Sequence, residues 1–350
     1  MKLSILANDG SPLGVTLKDV YGEGQRGIGI GGAELALLTM CEEWANAGHE
    51  VILFNNPLGK EFDGFEQRNI GDFVADDKVD VLIIFRSPNP KAVKSKALKV
   101  WWSCDQYTTG SFRDFAPLVD KIVTISPFHT KYFETTYRIT NAIDIDLPVR
   151  VKDFDKVEVE KIPNRLIFTS VPDRGLQFLH PMWAEIKLNF PDASLVITSD
   201  YRLWGCKSPM NEKHRMSWLR SADVMFRGAI KRMEMVEEVL KAQLLVYPSI
   251  YEELFCIAVS EAQYAGAYPI TSTTGALETT NMGTMIAGNA DDALFRKRFM
   301  DELIFLLSNP GELENRQTYL KNLAWNRFHP DKILEQWNKK VFDYEDSMDK

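Results

Sequence analysis

Short apolar runs rich in β-branched and aromatic residues alternate with helix-spaced stripes along this chain, and the alternation occurs twice. Residues 3–7, 51–54, 81–85, 100–102 and 122–125 form the first set of runs. Between the first two, residues 33–47 place Leu37, Cys41, Trp44 and Ala45 at helical spacing, and Gly48 supplies a natural stop. Residues 147–164 break the pattern with Pro148, Pro163 and a mixed-charge stretch from Lys152 to Lys156, the composition of a linker. The second set lies at 166–169, 195–198, 224–226, 244–247 and 268–271, with Leu176, Leu179, Trp183 and Ile186 as a helical stripe that Pro181 is placed to kink. Such alternation predicts parallel sheets covered by helices, so the expected fold class is α/β with two doubly wound, Rossmann-like domains. The expected boundaries are residues 1–150 and 160–329, followed by an amphipathic segment from about 330 to 350 that carries Ile333, Trp337, Val341 and Phe342. Ligands of such sheets bind at the carboxyl ends of the strands, and pockets favour domain interfaces, which makes the cleft between the halves the expected site.

A length of 350 residues suits two domains better than one core. No apolar run reaches the ~18 residues needed to span a bilayer, and the N-terminus reads as a first strand rather than a secretory signal. Cys41, Cys104, Cys206 and Cys256 are scattered without short paired spacing, which argues against a disulfide framework or a zinc site and for a reducing, cytoplasmic setting. The net charge of −8 argues against a nucleic-acid or anionic-membrane surface. The basic stretch from Lys91 to Lys99 reads as a solvated loop or helix face.

The run from Tyr247 through Pro248, Ser249 and Glu253 to Glu261 and Ala262 carries the most chemistry. It reads as a buried strand, a tight loop and a helix start, with a carboxylate on each side of the helix mouth. Seven residues separate Glu253 from Glu261. At about 1.5 Å per residue along a helix, that places Glu261 a little over two turns beyond Glu253 on a similar face. Exposed N–H groups at a helix start suit an anion, and carboxylates suit hydroxyls. A nucleotide-sugar presents both, as a diphosphate flanked by two polyols.

Gly27, Gly29 and Gly32, with Gly31 between the last two, match the dinucleotide pattern G-x-G-x-x-G, but the context fails. That fingerprint follows a strand immediately, whereas about 20 residues separate the first strand from Gly27. The ribose-binding acid expected after the second strand is also missing, with Asn55 and Asn56 at that point. The glycines fit another use: Gly31 and Gly32 open a helix, where bare backbone can approach a phosphate or sugar. The preceding loop, residues 8–30, is long enough to close over an acceptor.

Together these pieces resemble the family 4 retaining glycosyltransferases of the GT-B fold. Gly31-Gly32-Ala33-Glu34 through Gly48-His49-Glu50-Val51 resembles that family's first glycine loop and helix. Asn141-Ala142-Ile143-Asp144 resembles the exit from its first domain, and Val171-Pro172-Asp173-Arg174-Gly175-Leu176 a turn that opens the second domain in one branch. The block from Pro248-Ser249 to Glu261-Ala262, with Gly266-Ala267-Tyr268-Pro269-Ile270 after it, matches the E-x7-E signature.

The resemblance implies a transferase that moves a sugar from a nucleotide-diphosphate sugar to a hydroxyl acceptor. By it, Glu261 binds the donor ribose, and Glu253 holds hydroxyls of the transferred sugar with backbone N–H groups of Leu254 and Phe255. Arg174 neutralises the leaving diphosphate, Gly228, Ala229 and Ile230 meet the nucleobase, and the C-terminal helix returns to the first domain. Asp105 remains as a polar group of the cleft, a candidate for catalysis and acceptor binding, and Arg86, read from its place at the cleft end of the third strand, is a second candidate acceptor-binding residue. Two departures stand out. A second basic residue usual a few positions before Arg174 is absent, with Lys231 or Arg232 as the candidate substitute, and Cys104 stands where many members carry a histidine.

No cofactor or metal is expected. Asp144-Ile145-Asp146 and Asp153-Phe154-Asp155 both spell D-x-D, but one overlaps the domain exit and the other the linker. His49, His129, His180, His214 and His329 form no cluster and read as structural. The nucleotide and the sugar stay open, as does the acceptor. A glycan or small molecule is favoured over a lipid because no basic amphipathic helix marks the first half; a protein or nucleic-acid acceptor is not excluded. The competing readings are a nucleotide-sugar-binding protein without transferase activity and a GT-B epimerase or phosphorylase.

Overall fold

A computed structural model of the protein describes residues 1–7, 14–57, 64–75 and 78–343. Residues 8–13 of the loop expected to close over an acceptor lie outside the described residues, as do residues 344–350 of the C-terminal segment. The chain divides into two compact units, the first made of Met1–Lys18, Ala33–Pro148 and Arg327–Lys350, the second of Asp19–Gly32 and Val149–Asn326.

The first unit contains β1 (Lys2–Leu6), β2 (Glu50–Phe54), β3 (Glu66–Arg68), β4 (Val81–Phe85), β5 (Leu98–Trp102), β6 (Lys121–Thr124) and β7 (Ala142–Asp144). They form one parallel sheet in the order β3-β2-β1-β4-β5-β6-β7. The order reverses direction between β1 and β4, the point where such sheets leave a crevice beyond the strand ends. Strands buried on both faces must be apolar throughout, and β4, Val-Leu-Ile-Ile-Phe, is buried at every position.

Neighbouring side chains of a strand point to opposite faces, and β5 shows the result in two tryptophans. Trp101 packs with Phe112, Phe115 and Phe133 at ring separations of 4.8, 5.5 and 5.5 Å. Trp102 instead meets Trp44 of the helix Gly32–Asn46 at 6.1 Å and Trp337 of the helix Pro330–Lys340 at 5.2 Å. Trp44 and Trp337 close the triangle at 5.1 Å, all edge to face, so the C-terminal helix is seated in the first unit by three indoles. Arg327 fastens the same end of the chain by donating twice to Asp146, at 2.6 and 3.1 Å.

His129 lies in the short helix Pro127–Tyr132, whose N-terminus Ser126 caps by accepting the His129 N–H at 3.0 Å. The ring is fully buried, and burial holds it neutral with a pKa lowered to about 3. Above pH 6.5 both folded and unfolded chains carry a neutral imidazole, so the group is silent. Below it the unfolded chain takes up a proton that the folded chain refuses, and stability falls as the pH drops from 6.5 toward 3, by at most ~1.4 kcal/mol per pH unit. His129→Gln is therefore expected to lose less melting temperature than the wild type between pH 7 and pH 5. Equal losses, measured by thermal scans of both proteins, would rule this out.

The second unit contains β8 (Arg165–Phe168), β9 (Ser194–Ile197), β10 (Val224–Phe226), β11 (Leu244–Tyr247), β12 (Tyr268–Ser272) and β13 (Thr284–Ile286), again all parallel, in the order β10-β9-β8-β11-β12-β13. Here the direction reverses between β8 and β11. The helix Leu176–Asn189 carries Pro181 internally and still buries the expected stripe of Leu176, Leu179, Trp183 and Ile186. Within the linker, residues Val151–Phe154 form one helical turn. Cys41, Cys104 and Cys256 are buried and Cys206 is exposed, none of them in a disulfide.

Candidate active site

The reversal point of the second sheet brings Arg174 and Glu253 together. Arg174 ends a short turn after β8, and Glu253 follows β11, the adjacent strand. Arg174 Nη1 donates to both carboxylate oxygens of Glu253, at 3.1 and 3.3 Å. The Tyr247 hydroxyl, at the last residue of β11, donates to Glu253 Oε1 at 2.5 Å and lies 3.1 Å from Ser170 Oγ. Glu253 is buried, so its charge depends on these donors. Burial works against the Arg174 charge, but the electrostatic pull of its neighbours, the Glu253 carboxylate foremost, outweighs it and raises the guanidinium's pKa. Burial, with the Glu253 charge second, pushes the Tyr247 phenol well above its ordinary value, so it remains a donor.

The main chain of Glu253 is pinned as firmly as its side chain. It forms an isolated parallel bridge with Gly275, and Ala276 N–H donates to the Glu253 carbonyl at 2.6 Å. Gly275 has φ +64°, and a Cβ there would lie 2.6 Å from Glu253 N and O. Only glycine fits that approach.

The helix that carries Glu261 begins later than its spacing suggests. It spans Ile257–Tyr264, because Cys256 adopts a left-handed φ of 77° and interrupts the turn. Glu253 thus lies in the loop before the helix, not at its mouth, and Leu254 and Phe255 fill that loop as buried side chains.

Glu261 has a different partner. Its Oε1 lies 2.6 Å from Arg232 Nη1, while Arg232 Nε donates to Asp153 Oδ2 at 2.7 Å. The Tyr21 hydroxyl donates to Asp153 Oδ1 at 2.9 Å, and Arg150 Nε stands 3.6 Å from the same oxygen. Arg150, Asp153, Arg232 and Glu261 are each at most 5% exposed, so two cations and two anions form a buried neutral cluster. Burial raises the Glu261 pKa against the opposing pull of Arg232. Arg232 is 29 positions from Glu261 and 79 from Asp153. Spacing marks neither pairing; the sequence offers Arg232 only as a substitute for the missing basic residue, not as the partner of Glu261 and Asp153.

The glycine segment packs within the second unit. Gly29 N–H donates to the Ile230 carbonyl at 3.0 Å, and Gly22 lies against the Lys231 side chain. Gly32 begins the helix Gly32–Asn46, where a Cβ would meet Ile257 at an ordinary 3.5 Å, and Gly31 immediately precedes it. In the segment expected to meet a nucleobase, Ala229 N–H donates to Asp200 Oδ2 at 3.0 Å and its carbonyl accepts from Arg202 Nη2 at 3.1 Å. The backbone groups of Ala229 are thus already engaged within the chain.

In the first unit, the reversal point between β1 and β4 gathers a second set. Arg86 follows β4 with a left-handed φ of 70°. Its Nε donates to Asp105 Oδ2 and its Nη1 to Glu34 Oε1, each at 2.8 Å. Its carbonyl accepts from Trp101 Nε1 at 2.9 Å. Side chains and packing therefore hold a backbone shape that a non-glycine residue resists, as is usual beside functional groups. Glu34 completes the set; sequence reasoning placed it in a motif but gave it no role. Cys104, beside Asp105, is buried.

Three of the four D-x-D carboxylates bond within the chain, Asp146 with Arg327, Asp153 with Arg232, and Asp155 accepting from the Tyr264 hydroxyl at 3.1 Å. Among the described residues, no group of three or more His, Cys, Asp or Glu side chains could hold a metal ion. No helix among them is long and apolar enough to cross a membrane.

Comparison with known proteins gives the context of these residues. Residues 163–309 match the family model of the glycosyl transferases group 1, a segment that holds Arg174, Glu253 and Glu261. A search of curated protein sequences gave no match. Among solved structures, a glycosyltransferase from Rickettsia africae aligns with a TM-score of 0.69 at 14% identity, covering 97% of each chain. Sucrose-phosphate synthase from Thermosynechococcus elongatus aligns with a TM-score of 0.68 at 14% identity, covering 98% of this chain and 99% of that one. HepE from Anabaena, solved with UDP and glucose, aligns with a TM-score of 0.66 at 13% identity over 98% and 100%. The chain thus has the GT-B fold, and its second unit bears the match to the group 1 glycosyl transferases.

Proposed function

We propose that the protein transfers a sugar from a nucleotide-diphosphate sugar to a hydroxyl acceptor, with retention at the anomeric carbon and without a metal ion. The observation that carries this reading is the joint placement of Arg174 and Glu253 at the ends of β8 and β11, inside the segment that matches the family model. The difficult charge in such a reaction is the departing diphosphate, and a fixed guanidinium in a partly dry site stabilises it as it forms. Glu253 then holds hydroxyls of the transferred sugar, and Glu261 those of the ribose, through its second oxygen, since a carboxylate accepts several hydrogen bonds. The departing phosphate oxygen receives the acceptor's proton, so no dedicated base is needed and Cys104 in place of a histidine is tolerated. Arg86 and Asp105, with Glu34, bind the acceptor in the first unit. HepE has been solved with UDP-glucose and a plant starch synthase domain with ADP and acarbose, which supports a nucleotide-sugar donor for this chain without choosing its base.

The test is a panel of nucleotide-sugars screened for thermal stabilisation, because a ligand of the native state raises its apparent stability. The stabilising donor is then offered with glycan and small-molecule hydroxyl acceptors, and the anomeric configuration of the product is read by NMR. Transfer is expected to persist in EDTA. Inversion at the anomeric carbon, or activity lost to EDTA and restored by manganese, would reject the mechanism. A second reading, a nucleotide-sugar-binding protein without turnover, draws on the buried Cys104. Donor hydrolysis above the uncatalysed rate would exclude it, and an epimer formed from donor alone would point to an epimerase.

A further inference from the structure

The Arg174 guanidinium has aromatic neighbours that its pairing with Glu253 does not require. Its central carbon lies 4.0 Å from the centre of the Tyr251 ring and 5.3 Å from that of Trp204. Both distances fall within the range of a cation–π contact. Neither ring belongs to the core, since Tyr251 is 40% and Trp204 41% exposed. Of the guanidinium's N–H groups only those on Nη1 meet Glu253, and among the described residues Nε and Nη2 donate to no protein group.

Trp204 is held from the other side. It ends the turn Tyr201–Trp204, which Asp200 caps by accepting Arg202 N–H at 2.8 Å. Arg202 also pairs with Asp200 through its side chain, Nη2 to Oδ2 at 2.7 Å. The same two side chains grip Ala229 by its N–H and carbonyl. Gly228, with φ +66°, lies so near that a Cβ there would stand 2.5 Å from Asp200 Oδ2. One short turn therefore touches the segment at 228–230 at one end and the Arg174 side chain at the other.

We propose that Trp204 and Tyr251 are positioning residues, which fix the plane of the Arg174 guanidinium so that Nε and Nη2 face the diphosphate of a bound nucleotide. A planar cation suits this arrangement, because it stacks on rings while its edge still donates hydrogen bonds. The turn at 200–204 ties that orientation to the segment at 228–230. The inference rests on the reading of Arg174 as the diphosphate ligand.

The experiment uses calorimetry of the full chain with UDP and UMP, and with ADP and AMP as a second pair. These probes separate contacts to the terminal phosphate from contacts to the nucleoside. Trp204→Leu and Tyr251→Leu are each expected to weaken diphosphate binding about fivefold and leave monophosphate binding within twofold. Trp204→Phe and Tyr251→Phe, which keep a ring, are expected to bind near the wild-type level. In an Arg174→Ala background neither leucine change should cost anything further, because residues that act through one partner are not additive. Equal losses of diphosphate and monophosphate, or the full fivefold cost persisting without Arg174, would overturn the proposal. If Arg174→Ala weakens diphosphate binding and both leucine variants leave it intact, the proposal alone falls. If the wild type binds neither diphosphate, or Arg174→Ala leaves binding unchanged, the reading of Arg174 falls with it.

Discussion

Arg174→Ala is expected to lower turnover in sugar transfer by about a hundredfold to a thousandfold, the usual cost of removing one fixed electrostatic group from such a site. The side chain is held by Glu253 and overlain by Tyr251 and Trp204, so it makes its charge available without reorganising during the reaction. Truncation also strands Glu253, a buried carboxylate left with Tyr247 as its strongest remaining donor. A thermal scan of the variant separates that structural cost from the catalytic one. Arg174→Lys keeps the charge but lacks the planar fork, and is expected to recover only part of the rate. Transfer by Arg174→Ala within a few-fold of the wild type would remove the guanidinium from the mechanism.

Glu253→Gln is expected to reduce transfer by about a hundredfold while nucleotide-diphosphate binding stays level or tightens. An amide oxygen still accepts from Tyr247, but the amide N–H groups then oppose Arg174 Nη1. The loss of a charged hydrogen bond to sugar hydroxyls is of order 1.5–3 kcal/mol. The diphosphate, by contrast, no longer shares its arginine with a carboxylate, and Coulomb attraction between the two is relieved of a competing negative charge. Calorimetry of the free nucleotide diphosphate beside initial-rate measurements distinguishes the effects. Parallel losses in both would place Glu253 on the diphosphate rather than on the sugar.

The sequence shows its fold most clearly where strands are buried on both faces. Stretches such as 81–85 and 244–247 are apolar at every position, and no polar neighbour obscures them. The strands β3, β7 and β13 escape such reading because each is short and carries polar residues, Glu-Gln-Arg, Ala-Ile-Asp and Thr-Met-Ile, whereas β10, equally short, is Val-Met-Phe and shows. At the site, the carboxylate pair is visible through its spacing, but the geometry around it is not. The left-handed Cys256 that delays the helix has no marker in its residue type, since a cysteine gives no warning of positive φ. The pairing of Arg174 with Glu253 spans 79 positions, as does that of Arg232 with Asp153, and only the sheet order reveals which strand ends become neighbours. The glycine pattern shows the opposite failure: its letters fit a dinucleotide motif while its distance from the first strand does not.

The edge-to-face triangle of Trp44, Trp102 and Trp337 also gives the molecule an optical signature. Indoles this close couple their electronic transitions, so the first unit should show an exciton couplet in far-ultraviolet circular dichroism that weakens when the C-terminal helix undocks and leaves only the Trp44–Trp102 pair. Trp204, beside a guanidinium in the other unit, stands outside that couplet, and the nucleotide-dependent part of the summed tryptophan emission that a Trp204→Leu variant lacks reports on it. Spectra of the unlabelled protein and that variant can thus follow the integrity of one unit and the occupancy of the other.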